Sequence, residues 1–509
     1  RQVAEQSRVR YIGISVGGTA VTTYAKARQL DSPTLSKRLR PSDFFSIGFG
    51  AIIGVGWVLV MGDWLNMGGG PITTIMAFAL GAAILIPIAL VYGELTTAVP
   101  VAGGPIAFAL KAFGHRVSYL TGWFLTLGYV MLCPWEAIAV GELAGALFPM
   151  LKFAPLYSVG GDIIYAPILA ISLAIGMCVI AANFKGVRYV SVLQKLLTFG
   201  MVVIWLIALA ASVLRGSMSN LLPIVGRTGM NPNASILTGL LAVISISPFF
   251  YSGFDTIAQG VEESSVNINP RSLGRVTAFS ILAAAVYYIT IIVSVSMTVP
   301  WQDAISLTMP ASKAYEVGLG LPSVSAAILF GGLCGLITSL NSFFLAGARV
   351  LLAMGRARML MNGLSRIHPV SKTPYVANLF IACLTLLGPF LGRSMIAPIV
   401  NVCSLSFMMG WLAVCCSSVR IRSKCPTLRR PYEVLGGKVM EYASVVLAIL
   451  MILILVLPMS PGALRWPLEW IIVLVWAGIG LLLYCMSLPQ INSISEDERK
   501  RLVLGEFAS

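Results

Sequence analysis

Gly50-Ala51-Ile52-Ile53-Gly54-Val55-Gly56 lies inside an apolar segment that runs from about Phe44 to Asn66. A segment of that length suits a membrane-spanning helix, yet each of its three glycines weakens a helix by about 1 kcal/mol relative to alanine. The segment therefore reads as two half-helices joined by a short unwound link. Lipid offers no partner to the freed N–H and C=O groups, so such a link is tolerated only where it is buried in protein or lines a wet cavity. The link is expected to be a ligand site.

Working outward, the rest of the chain repeats the apolar theme. Of 509 residues, 57% are apolar and 11% charged, and the mean hydropathy is +0.88. The apolar runs predict a polytopic, all-α membrane protein with twelve transmembrane helices at roughly 44–66, 72–99, 119–148, 162–182, 190–214, 235–259, 275–299, 323–355, 374–391, 395–419, 441–459 and 466–487. An even count places both termini on one side. If that side is the cytoplasm, 27 of the 35 Lys and Arg residues fall in inner segments and six in outer ones. This positive-inside bias predicts cytoplasmic termini and makes the net charge of +15 topological, which excludes a nucleic-acid partner. Residues 1–43 read as a basic cytoplasmic tail without a signal-like apolar stretch, with a start expected upstream of Arg1, and 488–509 as a second tail.

The nine cysteines fall in spans or in the inner loop after span 10, so no outer disulfide is expected. His115 and His368 lack partners at metal-ligand spacing. No nucleophile–base pair, metal cluster or phosphate-cradling loop is visible, so neither an enzyme nor an ATP-driven pump is expected, and no cofactor is implied.

A second interruption lies in span 6, at Ser247-Pro248-Phe249-Phe250-Tyr251-Ser252-Gly253-Phe254-Asp255. Proline removes a backbone donor and Gly253 frees φ, so this helix should also break. Interrupted segments at corresponding places in two halves point to a binding site between inverted repeats, here 44–214 (spans 1–5) and 235–419 (spans 6–10), with 441–487 (spans 11–12) appended. In span 3, Glu136 and Glu142 are six residues apart and do not share a helix face. Glu136, mid-span after Pro134, is the better candidate for a pocket, with an interhelical hydrogen bond as the alternative. Glu94 at the end of span 2 reads as a carboxylate that pairs with loop cations or backbone N–H groups, with a proton carrier as the other reading.

The run Gly93-Glu94-Leu95 … Pro100 … Gly103-Gly104 resembles the signature of the amino acid–polyamine–organocation transporters. Gly50, Gly54 and Gly56 are similar to that family's first-span glycines, Gly253-Phe254-Asp255 with Glu262-Glu263 and Asn269-Pro270 to its sixth span and loop, and Thr338-Ser339-Leu340-Asn341-Ser342 to its eighth span. Asn183-Phe184-Lys185-Gly186 with Gln194, and Arg430-Pro431-Tyr432, extend the resemblance from about Pro41 to Tyr432. The resemblance implies a LeuT-like 5+5 inverted repeat with discontinuous helices 1 and 6 and two extra C-terminal helices. It also implies an amino acid substrate carried by alternating access. The substrate carboxylate would meet the backbone of Ile53, Gly54, Val55 and Gly56, and its ammonium the carbonyls of Ile52, Phe249, Phe250 and Ser252. Phe249 would be the aromatic gate.

For coupling, the resemblance offers a sodium site at Gly50, Ile53, Gly335, Thr338 and Ser339, or a proton on Asp255 or Glu136. Met201 stands where many members carry a lysine, so lysine-based proton coupling is not carried over, and Lys195 does not replace it. Symport and exchange both stay open, as does the oligomeric state. The location implied is a plasma or inner cell membrane. Two other readings are kept: a permease for an organic cation such as a polyamine or ethanolamine-like amine, suggested by Glu136, Glu142 and Asp255, and a non-transporting amino acid sensor.

Overall fold

The computed structural model describes residue 35 and residues 39–185, 187–265 and 269–508. Most of the expected N-terminal tail, with Gly186, lies outside them. Eleven helices among the described residues are long and apolar enough to cross a bilayer: Pro41–Leu59, Pro71–Ala98, His115–Leu147, Ala166–Lys185, Ser191–Arg215, Ile236–Glu263, Pro270–Ser296, Pro322–Arg356, Arg393–Lys424, Lys438–Val456 and Leu468–Asn492. The expected span at 374–391 is shorter. Its α-helix, Tyr375–Leu387, gives way to a 3-10 turn at Gly388–Phe390, where Pro389 has no N–H to continue the ladder. We keep the number 9 for this short helix and number the others as in the sequence.

The expectation of helix alone fails in one place. Residues Pro155–Val159 and Asp162–Tyr165 form an antiparallel β-hairpin, β1 and β2, so span 4 starts at Ala166 and not at 162. The reason is local. Gly160 and Gly161 both take positive φ, 58° and 91°, the two-residue turn that closes a hairpin tightly.

Both glycine-rich segments break their helices. Span 1 is helical over Pro41–Ile52, irregular at 53–55, and helical again over Gly56–Leu59 and Met61–Gly68. Span 6 is helical over Ile236–Tyr251, irregular at 252–255, and resumes at Thr256–Gly260. Elsewhere the ends follow ordinary capping. Ser235 accepts from Thr238 N at 3.3 Å, and Asn269 accepts from Arg271 N at 3.0 Å ahead of Pro270.

The core sits between spans 1, 2, 3, 6, 7, 8 and 10, where the indoles of Trp57, Trp64, Trp135 and Trp411 are fully buried. Span 7 lies along span 2, and span 3 lies between spans 8 and 10. Spans 4, 5, 11 and 12 instead turn most of their apolar surface outward. In a bilayer that surface meets lipid and needs no protein partner. Residues after span 12 form a helix, Glu496–Leu504, packed on the face that carries the 2–3 loop. On this terminal face Glu94 accepts from Arg422, from Arg430 at 3.0 Å and from Val434 N at 2.8 Å. Arg349, buried to 3%, pairs with Glu263, and Arg356 with Glu262 at 2.7 Å.

Candidate functional site

The two breaks face each other because glycine lets backbone meet backbone. A Cβ on Gly253, whose φ is +129°, would stand 2.7 Å from Ile52 N, and one on Gly335 of span 8 would stand 2.6 Å from Gly54 O. Only hydrogen fits there. In span 1 the first bonds after the break are Val58 N and Leu59 N to Val55 O, at 2.9 and 3.1 Å, so the N–H groups of Gly54, Val55 and Gly56 stand ahead of the helical ladder. The end of a broken helix thus leaves donors on one side of the cavity and acceptors on the other.

The acceptor side carries a residue that the sequence did not single out. Tyr288 of span 7 donates its hydroxyl to Ile52 O at 2.7 Å and is within 3.1 Å of Phe250 O, so one phenol pins both breaks. Phe249 O accepts from Ser252 Oγ at 2.6 Å and Ser252 N at 3.2 Å, which closes the end of the first half of span 6 on itself. No spacing rule marks Tyr288, since it is one of three aromatic residues in an apolar span, next to a second tyrosine.

Between the breaks lies a cavity of about 10 Å³, walled by Ile52, Gly54, Gly56, Trp135, Phe249 and Tyr288 together with Glu136 and Ser339. That is about the room of one water molecule, so an amino acid enters only if side chains move. Phe249 stacks edge-on against Trp135 with centroids 5.2 Å apart and against Phe250 at 5.0 Å. Those rings close one side of the cavity.

Glu136 is 1% exposed, and its Oε1 accepts from Ser339 Oγ. Its Oε2 is buried without a hydrogen-bond partner among the described residues. Glu142 points elsewhere and pairs with Arg393 at 3.0 Å near the opposite face. Asp255 does not line the cavity. Its carboxylate accepts from Tyr129 OH at 2.6 Å, Trp411 Nε1 at 2.8 Å and Gly253 N at 3.1 Å, and so it ties the second half of span 6 to spans 3 and 10.

The residues carried over for a cation come together. Thr338 Oγ1 lies 3.0 Å from Gly50 O and 2.9 Å from Gly335 O, and a Cβ on Gly335 would be 2.9 Å from Ile53 O. All these atoms are neutral oxygens, the donor type that a hard cation takes. Ser339, the fifth residue, turns its hydroxyl to Glu136. Beside them Gln194 Nε2 reaches Ser46 O, Thr338 O and Ser342 Oγ, each at 3.1 Å, while Asn341 donates to Gln194 at 2.9 Å and accepts from Asn183 at 2.8 Å. Met201 is fully buried, and Lys195 pairs with Asp43 at 2.9 Å.

A multi-pass helical membrane protein whose first and sixth spans break face to face around a small cavity belongs to the class of membrane transporters for small molecules. The chain is a member of the amino acid permease family, whose profile matches residues 39–480. It is 27% identical over 469 residues to the branched-chain amino acid permease BcaP of Bacillus subtilis (strain 168), covering 89% of this chain and 93% of that one. It is 31% identical over 359 residues to the chloroplastic cationic amino acid transporter 9 of Arabidopsis thaliana, covering 67% of this chain and 59% of that one. The methylthioribose transporter of Bacillus subtilis (strain 168) is also similar, at 24% over 466 residues, with 90% and 94% covered.

Proposed function

We propose that the protein is a secondary-active amino acid transporter in a cell membrane, with both termini cytoplasmic, that works by alternating access between the repeats 44–214 and 235–419. The observation that carries this reading is the pair of facing breaks. The N–H groups of Gly54, Val55 and Gly56, ahead of the helical ladder, suit a carboxylate, and the carbonyls of Ile52, Phe249, Phe250 and Ser252 suit an ammonium on the same α-carbon. Ammonium binding displaces the Tyr288 hydroxyl from Ile52 O, and carboxylate binding draws the two halves of span 1 about the substrate. Phe249 and Trp135 must swing to admit the side chain and then cover it. Their rings, with Leu132 and Phe343 nearby, suit an apolar side chain of the branched or aromatic kind.

Transport energy comes from an ion gradient or from exchange. The sodium alternative uses the carbonyls of Gly50, Ile53 and Gly335 with the hydroxyls of Thr338 and Ser339. The proton alternative uses Glu136 ahead of Asp255, because Glu136 borders the cavity whereas Asp255 is held by three donors away from it. Uptake of a labelled amino acid mixture into proteoliposomes, with sodium gradient, proton gradient and internal amino acid varied independently, decides among them. Flux only with internal amino acid means exchange. Binding without flux under every condition would overturn transport in favour of a sensor.

A second reading has one observation behind it, the unpaired Oε2 of Glu136. A buried carboxylate oxygen without a partner suits a second positive charge, and so an organic amine or a cationic side chain. Competition by an amine that lacks a carboxylate would favour it.

A further inference from the structure

Glu142 lies six residues beyond Glu136 on span 3, about 9 Å further from the terminal face. It borders a cavity of about 350 Å³, far larger than the one between the breaks and within the range of small-molecule pockets. The hairpin turn, the start of span 4, the Thr308-Met309 tip between spans 7 and 8, and the turn before span 10 enclose it. Four charges of alternating sign line this space. Lys152 lies over Gly145, whose added Cβ would be 3.5 Å from Lys152 Cε, one helical turn from Glu142. Asp162 lies over Gly392, whose Cβ would be 3.9 Å from Asp162 Cβ, next to Arg393.

Arg393 and Glu142 pair at 3.0 Å while 39% and 30% exposed. Lys152 and Asp162 line the same cavity and form no ion pair among the described residues. A cluster that served packing alone would close on itself. Here the cations and anions stand around open space, and the one pair that does form is exposed to water, where exchange of partners costs little.

We propose that this cavity is a second, outer amino acid site, which holds the zwitterion before it reaches the breaks. Lys152 and Arg393 take its carboxylate, Asp162 and Glu142 its ammonium, and Ile138, Ile164 and Ile168 lie along its side chain. The inference rests on the amino acid reading of the central site. Its effect is on capture, since it lies on the side of the central cavity away from the terminal face, about 9 Å along span 3 from Glu136 and on a different face of that helix.

The test uses the full chain, with the labelled amino acid that is taken up fastest in the proteoliposome experiment as probe. Lys152→Gln combined with Asp162→Asn removes two charges that make no ion pair within the protein, so folding is expected to survive. Equilibrium dialysis should count two molecules per chain for the parent and one for the double variant. The KM for uptake should rise roughly fivefold at unchanged maximal rate, the size expected for losing two exposed charged contacts. One molecule per chain in both proteins, or two in both, overturns the outer site, as does a fall in maximal rate with KM unchanged. No uptake by the parent under any gradient overturns the transport reading itself, which is a different result.

Discussion

At the scale of single residues, two positions separate geometry from chemistry. Gly253 holds φ at +129°, and a Cβ there would stand 2.7 Å from both Ala51 Cβ and Ile52 N. Gly253→Ala is therefore expected to cost about 1–3 kcal/mol in backbone strain alone, and to abolish uptake because the two breaks can no longer touch. Gly478→Ala is its control. That glycine is helical, with nothing within 4 Å of an added Cβ, so the variant should be as stable as the parent or slightly more so. Thermal unfolding in detergent followed by uptake compares the two. Glu136→Gln addresses the chemistry. It keeps an oxygen to accept from Ser339 and removes the negative charge, so uptake of a neutral amino acid should persist while competition by an amine without a carboxylate disappears. If flux is instead driven by protons through Glu136, the same variant retains exchange and loses accumulation.

At the scale of elements, the breaks were legible because their causes are local. Glycines crowd Gly50–Gly56, and Pro248 with Gly253 interrupts span 6, so the sequence alone places both links. The hairpin was not legible. Leu156–Tyr165 has the same apolar weight as the start of a span, and only the Gly160-Gly161 pair marks a turn. Span 9 was legible as apolar but not as short, since its length depends on where Gly388-Pro389 meets the backbone of Pro134. Asp255 was legible as a buried carboxylate, yet whether it faces the cavity depends on Tyr129 and Trp411, each more than a hundred residues away. Tyr288 was invisible for the same reason. Its position suggests a test on elements, because one hydroxyl links span 7 to the ends of two half-helices. Tyr288→Phe leaves the ring packing intact and takes the donor from Ile52 O and Phe250 O, at about 1–3 kcal/mol for the buried acceptors. The closed arrangement should lose that much stability. A cysteine introduced in place of Leu132 at the cavity wall should then be labelled faster than in the Tyr288 parent without substrate, and protection by substrate should be stronger.

At the scale of the whole molecule, the terminal face is closed by a contact between parts nearly four hundred residues apart. Glu496 accepts from His115 N at 2.8 Å and from His115 Nδ1 at 2.9 Å, and it pairs with Arg499 at 2.7 Å. Arg499 is 2% exposed and also donates to Ala357 O at 3.0 Å and to Ile491 O, while Lys111 reaches Phe507 O at 2.8 Å. The helix Glu496–Leu504 thereby joins the loop between spans 2 and 3 to the end of span 8. Removing the guanidinium with Arg499→Ala should release the helix, at about 2 kcal/mol for charged hydrogen bonds to buried carbonyls. Protease cleavage around residues 493–500 should then be faster, with the membrane spans still protected. The contact should also depend on pH. Partial burial of Glu496 opposes its charge, but His115 and Arg499 outweigh it and hold the carboxyl below the usual carboxylate range. A group whose folded pKa lies below its unfolded value stabilises most above the unfolded pKa, about 4.3 for glutamate, and loses that contribution as pH falls through the folded one. Hydrogen exchange of 496–504, taken relative to the intrinsic amide rate at each pH, should therefore stay slow at neutral pH and accelerate only on acidification below the ordinary glutamate range. His115→Ala should bring that acceleration to a higher pH, towards the unperturbed value, because one of the two groups that hold Glu496 ionised is gone. An exchange profile that is flat in acid for the parent, or unmoved by His115→Ala, would show that Arg499 and apolar packing alone hold the helix in place.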